Sequence, residues 1–117
     1  DGLAIPKLET YSYPASKAAV HHLTRVMAHH LGKRNICVNA IAPGPFESKM
    51  MQYTLNNHQK NIEENLPRGR IGTPEDIVGA VIYLSSRAGA YVTGAVIPVD
   101  GGTLIANELW KEIVEPY

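Results

Sequence analysis

Two side chains near the start of the sequence have the types and spacing to do chemistry. They are Tyr13 and Lys17, in the run Tyr11-Ser12-Tyr13-Pro14-Ala15-Ser16-Lys17-Ala18-Ala19. Residues at i and i+4 share one face of a helix, with Cβ atoms roughly 5–6 Å apart. An ammonium beside a phenol favours the phenolate and lowers a tyrosine pKa from its reference of about 10. A phenol tuned in this way can give a proton to a carbonyl oxygen, or take one from an alcohol, near neutral pH. Tyr11 competes for the role, but the residue four beyond it is Ala15, so it lacks the lysine. Taken alone, a Tyr-x-x-x-Lys pair is a weak signal, because a surface pair on a helix reads equally well.

The pair needs a frame, and the rest of the sequence supplies one. A helix is expected from Tyr11 to Leu31, with Ala19, Leu23, Val26, Met27 and His30 as its apolar stripe and Gly32 at its C-terminal cap. Ile36-Cys37-Val38-Asn39-Ala40-Ile41 is short, apolar and β-branched, and Pro43-Gly44-Pro45 stops it, which predicts a strand covered on both faces. Residues 46–66 are polar with scattered apolar side chains and predict one or two short, mobile helices. Thr73-Pro74-Glu75-Asp76 carries an N-cap, a first-turn proline and two acids, so a helix starts there, with Ile77, Val78, Val81, Ile82 and Leu84 as its buried stripe. A second strand is expected over Gly94–Val99, closed by Asp100-Gly101-Gly102, and a short helix in the tail around Glu108–Val114. Strand, helix, strand is the βαβ unit of an open parallel sheet. Two strands alone do not make such a sheet. The chain therefore reads as an α/β fold, the C-terminal portion of a doubly wound, parallel-sheet (Rossmann-like) domain.

Composition narrows the function. Eleven basic and eleven acidic residues give a formal net charge of +0, with no basic stretch for nucleic acid and no charge run for a membrane surface. No apolar run approaches the roughly 20 residues of a membrane span, and no secretory-signal pattern is present. Cys37, the sole cysteine, reads as a small core hydrophobe. His21, His22, His29 and His30 could share helix faces in pairs, but two histidines without a third ligand rarely hold a metal, so no metal site is expected.

The ordered set of motifs is far more specific than the Tyr/Lys pair. Tyr13-Pro14-Ala15-Ser16-Lys17-Ala18-Ala19 is followed by Asn39-Ala40-Ile41-Ala42-Pro43-Gly44, by Arg70-Ile71-Gly72-Thr73-Pro74-Glu75-Asp76-Ile77, and by Thr93-Gly94 through Val99-Asp100-Gly101-Gly102. Together they resemble the C-terminal half of a short-chain dehydrogenase/reductase over about residues 2–104. Ala42–Met50 and Ala90–Gly94 look most like the 3-oxoacyl reductase-type members. The resemblance implies an oxidoreductase that uses NAD or NADP to interconvert a carbonyl and a secondary alcohol. Tyr13 would be the acid in reduction and the base in oxidation, and Lys17 would lower the Tyr13 pKa and hydrogen-bond the nicotinamide ribose. Pro43 and Gly44 would border the nicotinamide pocket, Phe46 would contact it, and the Ser48 hydroxyl would meet the carboxamide, although Ser48 also suits an N-cap. About residues 46–66 would form a substrate lid, with Met50, Met51, Tyr53 and Leu66 as candidate walls, and residues 104–117 a tail. Asp100-Gly101-Gly102 would be a structural turn.

The resemblance also implies what this sequence does not contain. The family's Gly-rich phosphate loop, its adenosine-ribose determinant, its catalytic Asn and its catalytic Ser find no match, the Ser being expected just before Asp1. The chain is therefore expected to be one half of a single domain, inactive alone, whose partners are the N-terminal half, a small carbonyl or alcohol substrate, and further copies in a cytoplasmic homodimer or homotetramer. Nucleic acid and membrane are not expected partners. Two alternatives stay open: a truncated, non-catalytic product acting only as a structural or oligomerisation module, and a related epimerase or dehydratase, in which Tyr-x-x-x-Lys also occurs.

Overall fold

The computed structural model of the protein describes residues 2–3 and 9–106. The expected tail helix lies outside the described residues. The elements run α1 (Ser12–Leu31), β1 (Ala40–Pro43), α2 (Gln52–Asn65), α3 (Pro74–Ser85) and β2 (Val96–Val99), with single 3-10 turns between some of them. The two strands are parallel, with Ala40 opposite Val96 and Pro43 opposite Val99. Two helices lie between them in sequence, the crossover that parallel neighbours require.

The strand is shorter than the apolar run predicts. Residues 37–39 follow the same neighbour as β1, but their hydrogen bonds go to side chains or to bent loop backbone. The Val38 N–H donates to Thr93 Oγ1 at 3.1 Å, and the Gly94 N–H donates to Val38 O at 2.8 Å. Asn39 is the hinge of the arrangement. Its Nδ2 donates to Val92 O at 2.8 Å and its Oδ1 accepts from the Ala95 N–H at 3.0 Å, closing the 92–95 loop against the start of β1. Only from Ala40, whose N–H donates to Ala95 O, does the backbone ladder take over. With no strand over 36–39 to bury it, Cys37 is exposed, not in a core, and its Sγ lies 3.6 Å from Ala90 O.

The end of α1 also departs from expectation. Gly32 keeps helical dihedrals (φ −57°) and opens a 3-10 turn through Arg34. The left-handed residue is Asn35 at φ 61°, a conformation that asparagine tolerates because its short polar side chain bonds locally.

The helices bury different faces from those their apolar stripes predict. In α1 the buried residues are Thr24 and Ala28, and Thr24 returns its hydroxyl proton to Val20 O at 2.8 Å. Leu23, Val26 and Met27 are exposed, and so are Val78, Val81 and Ile82 of α3, where Ile77 and Leu84 are only half-buried. The reason is the layer count. A parallel sheet is normally covered on both faces and has more than two strands, and among the described residues no element lies over these stripes. The buried cluster sits instead beneath α2, where Leu55, Ile62 and Leu66 pack with Met51, Ile71 and Ala106. Residues 52–65 therefore form one continuous helix held by its own core.

Asn39→Ala leaves the half-buried Val92 O and Ala95 N–H without their partner, and losing a hydrogen bond typically costs about 0.5–1.5 kcal/mol. Urea unfolding of the full-length protein is expected to show a loss of that order. An unchanged midpoint would mean the loop closes without Asn39.

Candidate active site

Pro14, at the third position of α1, is tolerated at the helix start because the first-turn N–H groups have no intrahelical partner. From there the helix delivers Tyr13 and Lys17 to one face. The Lys17 Nζ stands over the Tyr13 ring, 5.2 Å from its centroid, within the range of cation–π attraction. Both side chains are exposed. The neighbours are committed elsewhere. Ser16 Oγ donates to Tyr13 O at 2.8 Å, so this serine caps helix backbone. Tyr11 donates its phenol proton to Glu9 Oε1 at 2.7 Å, and that carboxylate pushes the Tyr11 pKa up, the opposite of what a proton-relay phenol needs. Geometry separates the two tyrosines as the spacing did.

The second cluster of candidate residues lies where β1 and β2 end. Ligands in open α/β sheets bind outside the carboxyl ends of the strands, and here both carboxyl ends open onto a cavity of about 170 Å³. Its lining includes Pro45, Phe46, Arg70, Gly72, Asp100 and Gly101. Pro43 ends β1, and the Gly44 N–H prolongs the ladder by donating to Val99 O at 3.0 Å. A Cβ on Gly44 would come within 2.6 Å of the Asp100 Cα, so only glycine lets the two strand ends approach this closely. Asp100 ties its own turn, accepting from the Gly102 N–H at 2.9 Å and the Leu104 N–H at 3.0 Å, while Gly101 and Gly102 take positive φ. The Asp-Gly-Gly run is thus the structural turn expected of it.

Phe46 packs on Gly72. The two residues form a single parallel bridge, the Gly72 N–H donates to Pro45 O at 2.9 Å, and a side chain at 72 would occupy the space of the Phe46 ring. Ser48 is exposed, and its Oγ accepts the Met51 N–H at 3.2 Å, the capping geometry that opens the approach to α2. An accepting oxygen keeps its own proton for a second partner. Of the candidate lid walls, Leu66 is buried and Met51 packs beside it, so these two fasten α2 down, whereas Met50 and Tyr53 are exposed. Among the described residues, no hydrogen bond or ion pair joins the Tyr13 or Lys17 side chain to Pro43, Gly44, Phe46 or Ser48; the structure presents two clusters.

Sequence reasoning missed one member of this region. It is the Asp76 carboxylate, whose Oδ2 accepts from Arg70 Nη1 (2.7 Å), the Thr73 N–H (2.7 Å) and Thr73 Oγ1 (3.2 Å), and whose Oδ1 accepts from Arg70 Nη2 (3.0 Å). The capping pattern announced the helix start, but nothing in the spacing announced the reach back to Arg70.

A family model described as Enoyl-(Acyl carrier protein) reductase matches residues 3–103. Among characterised relatives, the rhamnolipid-biosynthesis 3-oxoacyl-[acyl-carrier-protein] reductase of Pseudomonas aeruginosa is 43% identical over 103 residues, covering 86% of this chain and 40% of that protein. The 2-dehydro-3-deoxy-D-gluconate 5-dehydrogenase of Escherichia coli is 42% identical over 105 residues, 88% of this chain and 40% of that protein. Among solved structures, the Pseudomonas aeruginosa RhlG/NADP active-site complex superposes with TM-score 0.78 at 42% identity, over 86% of this chain and 42% of that one. Acetoin dehydrogenase from Enterobacter cloacae gives TM-score 0.74 at 32% identity, over 97% and 42%. The fold is thus the parallel α/β architecture of these oxidoreductases, present in part. The chain belongs to the short-chain dehydrogenase/reductase family, and it spans about two-fifths of the length of the relatives it matches.

The residues present fit one end of a nicotinamide dinucleotide. Lys17 is an exposed ammonium with three donors, Tyr13 an exposed phenol, and Ser48 an exposed hydroxyl with a proton to give. The pyrophosphate end has no cradle among the described residues. The positive-φ glycines Gly69, Gly94, Gly101 and Gly102 all lie in turns, and the N-terminus of α3 is already filled by the Asp76 carboxylate.

The Arg70 hydrogen bonds first, and the Thr73 N–H second, hold the Asp76 carboxyl well below the usual carboxylate range. A carboxyl lowered in the folded state stabilises the fold above its unfolded pKa, about 3.9, and loses that contribution as pH falls below it. The melting-temperature gap between wild type and Asp76→Asn is therefore expected to be flat from neutral pH to about pH 5 and to shrink below about pH 4. A gap that stayed constant into strong acid would show that the carboxylate contributes nothing as an anion.

Proposed function

We propose that this chain carries the Tyr/Lys catalytic half and the substrate lid of a single short-chain dehydrogenase/reductase domain, an NAD(P)-dependent oxidoreductase interconverting a carbonyl and a secondary alcohol. The observation that carries the reading is the Lys17 ammonium over the exposed Tyr13 ring at 5.2 Å, at the head of α1. It is joined by likeness to relatives described as 3-oxoacyl and gluconate oxidoreductases and to a structure described as an NADP complex.

The nicotinamide supplies or accepts the hydride when bound. The protein's work is to handle the proton and hold the reactants in line. In reduction, Tyr13 Oη gives its proton to the substrate oxygen as negative charge develops there; in oxidation it receives the proton from the alcohol. Lys17 stabilises the resulting phenolate by its positive charge and donates to the nicotinamide ribose. Pro43, Gly44 and Phe46 border the nicotinamide, with Ser48 donating to the carboxamide. Residues of about 46–66 close over the substrate, a small ketone, 3-oxoacyl thioester or secondary alcohol, with Met50 and Tyr53 free to contact it. The phosphate cradle and the catalytic serine belong to the other half of the domain. The exposed Leu23, Val26, Val78 and Ile82 suit burial against that half or against further copies in a homodimer or homotetramer. Among the described residues no helix is long and apolar enough to cross a membrane.

Tyr13→Phe in the full-length protein removes the proton donor and little else. Turnover is expected to fall by about two to four orders of magnitude, the range of general acid–base catalysis, with cofactor affinity nearly kept. Steady-state kinetics and a cofactor fluorescence titration check this, and near-normal turnover would sink the assignment.

A further inference from the structure

We propose that Asp76 is a positioning residue for the turn at Phe46, acting through Arg70 and Gly72. The inference rests on the reading above, in which that turn borders the nicotinamide, and adds what fixes its place.

The β1 ladder ends with the Gly44 N–H on Val99 O, two residues short of Phe46. Beyond it the turn takes its position from the segment that precedes α3. Pro45 O accepts the Gly72 N–H at 2.9 Å, Phe46 bridges Gly72, and the Phe46 ring fills the space that a side chain on Gly72 would need. Gly72 is in turn held by its neighbours on both sides. Arg70 Nη1 donates to Ile71 O at 3.1 Å as well as to Asp76 Oδ2 at 2.7 Å, and Thr73 donates its N–H and its hydroxyl to that same oxygen. Residues 70–73 are therefore wrapped around a single carboxylate rooted in the first turn of α3. A bidentate guanidinium–carboxylate pair fixes direction as well as distance. The cavity at the strand ends has Phe46 and Gly72 on its wall together with Arg70 and Asp76, so a displaced brace changes the wall itself.

Because Asp76 also contributes to stability through its cap and its ion pair, positioning is read on folded enzyme, well below the melting temperature of each variant. In the full-length enzyme, Asp76→Asn keeps the shape but loses the charge and one acceptor oxygen. Asp76→Glu keeps a carboxylate at a position where capping boxes accept Glu. Phe46 is the sole phenylalanine of this sequence, and with 4-fluorophenylalanine its fluorine NMR resonance is identified by its loss in Phe46→Leu. Asp76→Asn is expected to shift or broaden that resonance and to raise the KM for the nicotinamide cofactor about tenfold, with kcat changed less than threefold. Asp76→Glu is expected to restore both. A resonance that does not move, or one that moves while KM stays at the wild-type value, overturns the proposal. If Asp76→Asn fails to fold, Arg70→Lys replaces it, because lysine loses the planar fork, and it is read by the same two criteria. Tyr13→Phe measured alongside separates the two readings. An active Tyr13→Phe defeats the proposed function, whereas an inactive one beside an unperturbed Asp76→Asn defeats the positioning role alone.

Discussion

The pairing of β1 with β2 is the constraint from which the rest follows. It joins residues 40–43 to 96–99, more than fifty positions along the chain, and it is parallel, so both strands finish at the same edge. Asn39 starts the pairing by satisfying Val92 O and the Ala95 N–H together. Gly44 finishes it by bringing the end of β1 against Asp100 with no side chain between them. The loops at that edge start from these two ends. The Phe46 turn leaves one strand and the Asp-Gly-Gly turn leaves the other, and Arg68, with its N–H on Gly101 O at 3.1 Å, ties the loop after α2 to the second.

The sequence announced much of this frame, and where it failed the reasons are physical. The start of α3 was legible because Thr73, Pro74 and the acids each suit a helix N-terminus for an independent reason. The position of β2 was legible from its apolar run and the Asp-Gly-Gly that ends it. The extent of β1 was not, because periodicity sees apolar side chains and not whether backbone groups meet a ladder, a threonine hydroxyl or an asparagine amide. Gly32 misled for a related reason: it permits a left-handed cap without requiring one, and Asn35 took that conformation. The helix stripes were read correctly as apolar, yet Leu23, Val26, Val78 and Ile82 remain open, because burial depends on what lies opposite and only part of the layered domain is present.

The site was legible in the same uneven way. Tyr13 and Lys17 could be paired from spacing alone because a helix fixes that geometry locally. Glu9 then explains why Tyr11 is the poorer candidate, since its carboxylate keeps the Tyr11 proton in place. Ser48 and Phe46 depended on the motif resemblance, and the Asp76 brace on neither, because the contact between Arg70 and Asp76 crosses a loop whose shape no local rule gives. Leu66 and Met51 read as ligand walls because apolar residues in a polar segment suit a lid, but the helix uses them for its own core.

The central claim is that Tyr13 is the group that meets the reacting oxygen. A crystal structure of the full-length protein with its nicotinamide cofactor and a carbonyl substrate analogue tests this most directly. The account predicts Tyr13 Oη within hydrogen-bond reach of the carbonyl oxygen, about 2.6–3.2 Å, with the Lys17 ammonium on the ribose. A carbonyl oxygen held by another side chain, with Tyr13 turned to solvent, would contradict it.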